Sequence, residues 1–184
     1  SAACALLPLT GQEANGLLTQ CLHDPDPLVQ WSAIEQFKIK HVPQLLPTLL
    51  TKLDHIDPRV RKAAREVLAV EYNFDKYVKS FDQLDDRSKV ALGQLIEKID
   101  GDIENKLREY LLTEHRTHRI RGAEIIESLG WGSRFWRELL VLVGEGDLIV
   151  RRQATDAIAT ATSEDLIEHL ATLETNDEGD PRVV

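Results

Sequence analysis

The sequence predicts an all-α protein, a right-handed α-α superhelix of about five and a half helical hairpins. Two observations carry this prediction. A short phrase recurs along the chain at intervals near thirty residues, and such a period marks stacked repeat units. Between its copies lie apolar stripes spaced by three and four residues, the helical period, without the sustained alternation that strands need. Composition agrees: 42% hydrophobic and 29% charged residues make a globular chain. Aromatics are sparse against abundant Leu, Ile, Val and Ala, which suits thin helix-on-helix layers.

The phrase runs from an acidic or turn residue, often followed by proline, through an anchor to a basic or polar residue and then small residues. Its copies are Asp26-Pro27-Leu28-Val29-Gln30, Asp57-Pro58-Arg59-Val60-Arg61-Lys62-Ala63-Ala64, Asp85-Asp86-Arg87-Ser88-Lys89, Thr117-His118-Arg119-Ile120-Arg121, Gly146-Asp147-Leu148-Ile149-Val150-Arg151 and Asp180-Pro181-Arg182-Val183. The anchors Val29, Val60, Ser88, Ile120, Val150 and Val183 stand 31, 28, 32, 30 and 33 residues apart. Asp before Pro is a helix start, because the carboxylate accepts orphan N–H groups and Pro fits the first helical position. The anchor and the small residues three, four and seven positions on share one face, as Val60, Ala63, Ala64 and Val67 do.

Taken in order, leucine-rich outer helices are expected at about 12–23, 43–55, 74–83, 102–113, 133–144 and 163–175. Inner helices, each opened by the phrase, are expected at about 27–40, 58–70, 86–99, 117–129 and 147–161. Leu45, Leu46, Leu49, Leu50 and Leu53 form one outer stripe; Phe135, Leu139, Leu140, Leu142 and Val143 form another; Leu166, Ile167, Leu170 and Leu173 form the last. The sixth phrase opens an inner helix at Val184 without completing it, so the array is expected to continue in a longer protein. Residues 1–11 are read as an extension or expression scar and 12–184 as one repeat array.

These phrases resemble the HEAT-repeat family, in the shorter form also seen in phycobilisome-lyase-like repeats. The resemblance covers residues 12–184; it is specific for architecture and unspecific for function. It implies an Asp–Arg ladder between adjacent inner helices, with Asp57, Asp85 and Asp147 paired to Arg61, Lys89, Arg121 and Arg151. It also brings three enzymes to weigh. Deoxyhypusine hydroxylase binds iron through His-Glu pairs, whereas the six histidines here are followed by Asp, Val, Ile, Arg, Arg and Leu. Phycobilin lyases carry a bilin, and no residues here mark a pigment pocket. DNA-alkylation repeat enzymes cradle DNA on a basic face, and a net charge of −9 opposes that.

No phosphate loop, nucleophile elbow, paired cysteines or His-Glu-x-x-His motif is present, and no cofactor is expected. Cys21 reads as a buried reduced thiol, and Cys4 lies in the first eleven residues; the two give no disulfide framework. No apolar run reaches membrane-spanning length, and two free thiols favour the cytoplasm. The expected function is a non-catalytic scaffold that binds a protein on the concave inner-helix surface. The alternatives are a regulatory or spacer module contacting its own neighbouring domain, and a lyase-like enzyme.

The candidate contact residues are Trp31, Arg65, His118, Arg119, Trp136 and Arg152. Trp31 stands two positions after its anchor, away from the Val29–Ala33 stripe. Phe135 and Trp136 are adjacent, so one of them is expected to be partly exposed. Lys106–Arg121 is read as the only locally basic stretch, with a charge of +3 plus His115 and His118. Its acidic counterpart, Glu164–Asp180, holds no Lys or Arg.

Overall fold

The computed structural model describes residues 12–38, 46–162, 164, 166 and 167. Every regular element among them is helical: α1 (Gln12–Leu22), α2 (Pro27–Phe37), α3 (Leu46–Thr51), α4 (Pro58–Leu68), α5 (Phe74–Ser80), α6 (Asp86–Ile99), α7 (Ile103–Leu112), α8 (Arg116–Leu129), α9 (Gly132–Val143) and α10 (Leu148–Ile158). Tight 3-10 turns at Lys52–Asp54 and Phe81–Gln83 extend α3 and α5. Each expected helix up to residue 161 thus has a counterpart. The first eleven residues, Cys4, Leu45, most of the 163–175 helix, Glu174–Asp180 and the sixth phrase lie outside the described residues.

Four helix starts form where the phrase predicts and by an aspartate cap, whereas α8 opens at Arg116 behind His115, whose side chain makes no cap bond. Asp26, Asp57 and Asp147 each accept a hydrogen bond from the backbone N–H two residues on, at 2.8–2.9 Å; Asp85 accepts that of Ser88 at 2.8 Å. Each cap stabilises its helix start by satisfying a backbone donor that has no partner within the helix. The α8 helix ends in a Schellman motif at Gly130, φ 66°, where the Trp131 N–H donates to the Ile126 carbonyl at 2.9 Å.

The described residues fall into two compact units. One holds residues up to Ser80 with Gln94–Gly101, and the other Phe81–Gly93 with residues from Asp102 on. In the first, α2 packs on α1 and α4, and α4 also packs on α3. Its core joins Leu18, Leu22, Ala33, Ile34, Leu49, Leu53, Val60, Ala64, Leu68 and Ile99. Burying each Leu or Ile is worth about 2 kcal/mol over leaving it in water. In the second, α8 packs on α7, α9 and α10, and α9 on α7 and α10. Small residues set the spacing there. A Cβ on Gly122 would lie 3.2 Å from Leu111 and Tyr110, and one on Gly132 2.6–2.7 Å from Thr160, Ala157 and Ala161.

The anchor reading holds in part. Val60 and Val150 are buried, but Val29, Ser88 and Ile120 are only half-buried. In α2 the buried face starts at Gln30, whose amide donates to the Asp24 carbonyl at 2.7 Å. Phe135 and Trp136 are both buried, Trp136 at 8% exposure, so neither is the expected half-exposed aromatic. The reason is that α9 has neighbours on several sides, so side chains about 100° apart both find cover. Cys21 is half-buried against the core and carries a free thiol. No helix among the described residues is long and apolar enough to cross a membrane.

Candidate functional site

Helices α2 and α4 lie side by side because their small residues, Ala33, Ala63 and Ala64, are buried. Their outward faces bound a groove of about 340 Å³. From α2 come Trp31 and Glu35, with Lys38 at its C-cap, spaced four and three apart; from α4 come Arg59, Lys62, Ala63 and Glu66. Trp31 is 37% exposed, whereas Trp131 and Trp136 are buried, so it is the tryptophan open to solvent.

The charges in the groove are partly committed to one another. The Lys38 ammonium donates to Glu35 at 2.7 Å and reaches across to Glu66 on α4. Those hydrogen bonds, to Glu35 first and Glu66 second, raise the Lys38 pKa, and the Lys38 bond lowers that of Glu66. Arg59 folds back onto Asp57 at 2.7 Å. Its hydrogen bond, aided by the backbone N–H, holds the Asp57 carboxyl down at about 2. Lys62 meets Glu66 only at 4.0 Å and keeps 80% of its side chain in water. Arg65 is exposed and makes no ion pair among the described residues.

The second unit has its own groove, of about 400 Å³, between the start of α6, α8 and α10. Its floor is an ion network. Arg121 lies 2.5 Å from Asp82 and 2.8 Å from Glu124, with its guanidinium 4.9 Å from the Phe81 ring. The Lys89 ammonium stands 4.8 Å from the same ring. Burial first of all raises the Glu124 pKa, against the opposing charge of Arg121. Glu127 accepts from Gln153 at 2.6 Å.

The expected contact residues are scattered between the units. Trp31 and Arg65 sit on neighbouring helices of the first. In the second, His118 is exposed and stacks on Tyr110 with ring centroids 4.6 Å apart. Arg119 is tied to Glu145 and largely covered, which leaves it little freedom to meet a partner. Arg152 is exposed, with Asp156 at 3.9 Å. Trp136 is removed by its burial, with the Arg137 guanidinium 4.6 Å from its ring.

The expected ladder pairs also differ. Arg61 donates to the turn carbonyls of His55 and Ile56 at 2.6 and 2.8 Å, leaving Asp57 to Arg59. Asp85 caps α6, and Lys89 reaches Asp86 at 3.4 Å. Asp147 pairs with Arg116 at 2.5 Å, while Arg151 is exposed. Of these, Asp147–Arg116 is the pair that joins the starts of α10 and α8. At Arg61 the ladder fails because the side chain is long enough to reach its own turn, where carbonyls are left open at a helix end, and Arg121 takes Asp82 and Glu124 instead.

Sequence reading missed Arg59, Lys62, Lys38, Glu35 and Glu66. The signal for the α4 residues was present: Arg59-Val60-Arg61-Lys62-Ala63-Ala64-Arg65 holds four basic side chains in seven residues. Lys106–Arg121 is therefore not the only locally basic stretch. Among the described residues no cluster of three or more His, Cys, Asp or Glu side chains is arranged to hold a metal. The chain matches no protein-family model and no curated protein.

Proposed function

We propose that this chain is a protein-interaction module, a HEAT-like stack of helical hairpins that binds a segment of another protein rather than catalysing a reaction. The observation that carries the reading is Trp31. A tryptophan left 37% exposed in a groove between two close-packed helices is the type of residue on which protein interfaces concentrate their energy. The recurring Asp-Pro phrase supports the repeat architecture, and the surrounding long charged side chains form the polar rim expected about such an anchor. Contact with a neighbouring domain of the same parent chain is the same chemistry within one molecule.

The test is a pull-down from source-cell lysate with the full chain as bait, read by mass spectrometry, beside a Trp31→Ala bait. A protein captured by the wild type and lost by the variant supports the groove. Equal capture by both baits rejects it. No capture by either bait rejects an intermolecular role for the groove.

A further inference from the structure

From the arrangement of α4 beside Trp31, we infer that the groove takes an acidic peptide segment carrying an apolar side chain. The inference rests on the proposed interaction role and adds the chemistry of the occupant. Val60, Ala63, Ala64 and Val67 bury one side of α4, and Arg61 is spent on the turn carbonyls. That leaves Arg59, Lys62 and Arg65, at intervals of three, as a basic stripe on the exposed side. Two of its three head groups are at the disposal of a partner: Lys62 has only a 4.0 Å approach to Glu66, and Arg65 has no ion pair among the described residues. In a chain of net charge −9 such a stripe is a local reversal of sign, which selects and steers an acidic partner. Beside it, Trp31 and the Ala63 floor offer an apolar seat.

The acids in the groove decide between acidic partners. Glu35 and Glu66 line the groove among its cations, Glu35 at 2.7 Å from Lys38 and Glu66 at 4.0 Å from Lys62. A phosphate backbone presents charge at every step and meets those carboxylates as well as Lys62 and Arg65. A peptide places one carboxylate at Lys62 and a second beyond the groove lining at Arg65, with an apolar residue over Trp31, and leaves the glutamates to Lys38. The geometry therefore favours an acidic peptide over nucleic acid.

The experiment is selection of a displayed library of random peptides on the full chain, followed by anisotropy titrations with labelled copies of the enriched peptides. The titrations use wild type, Trp31→Ala and the double variant Lys62→Glu/Arg65→Glu; a labelled DNA duplex runs in parallel. Lys62 and Arg65 are exposed, so the double variant keeps the fold, which circular dichroism checks. The expected peptides are rich in Asp and Glu with an apolar residue. Their affinity should fall at least about tenfold in each variant, and again when salt shortens the screening length from about 14 to 6 Å. Neutral or basic peptides that lose affinity only in Trp31→Ala would overturn the acidic inference and leave the groove standing. Peptides indifferent to Trp31→Ala, or no enrichment at all, would overturn the groove with it. DNA binding that depends on Lys62 and Arg65 and exceeds that of every peptide would overturn the choice of partner.

Discussion

Individual side chains carry two measurable consequences. Asp147 accepts from Arg116 and from the N–H groups of Val150 and Ile149, and in that order of bonds its carboxyl is held at about 2 against an ordinary 3.8. A depressed carboxylate stabilises the fold above its unfolded value and loses that contribution as pH falls towards the folded one. Asp147→Asn is therefore expected to lower the melting temperature at neutral pH. The gap to wild type should close between about pH 4 and pH 2, and a pH-independent gap would show that the charge is not what Asp147 supplies. Gly132 is the second case. A methyl group there would sit 2.6 Å from Thr160 Oγ1 and 2.7 Å from two backbone atoms, which have little room to yield. Gly132→Ala should cost about 1–3 kcal/mol in urea unfolding; an unchanged midpoint would mean that α9 and α10 are not so closely apposed.

Whole helices allow a sharper comparison. Ala63 and Ala64 are adjacent and both buried, but Ala63 also floors the groove while Ala64 has no exposed surface. Ala64→Leu has no space to enter and should cost about 1–3 kcal/mol. Ala63→Leu can lean into the groove, so it should cost less and weaken partner binding more. Equal losses of stability would place the groove elsewhere. Much of this was legible in the sequence, since the spacing of Val60, Ala63, Ala64 and Val67 shows which face of α4 is buried. The face of α2 was not legible, because Gln30 is drawn inward by a carbonyl at Asp24 and takes the place expected of Val29. Periodicity reports apolar side chains only and is blind to a polar one that finds its partner.

For the molecule as a whole, the described residues form two compact units, each with its own buried side chains, and compact units open separately in native-state exchange. A lesion is then expected to act locally. In hydrogen exchange, Gly132→Ala should speed exchange of α9 and α10 amides while α2 and α4 keep their protection. Uniform acceleration would instead reveal one cooperative unit.

Local chemistry set where the aspartate-capped helices begin and which small residues of α4 are buried. Those features depend on groups within a turn or two of one another: Asp26, Asp57 and Asp147 reach N–H groups two residues away, and Val60 shares a face with Ala64 by backbone geometry alone. Tertiary structure decided the fate of the long side chains. Lys38 meets Glu66 across 28 residues, Arg119 meets Glu145 across 26, and Trp136 is covered beside Phe135. A lysine or arginine has several carboxylates and carbonyls within its reach, and which one it takes depends on helices brought beside it from elsewhere in the chain. The groove at Trp31 belongs to that second class, since it exists only where α2 and α4 lie together.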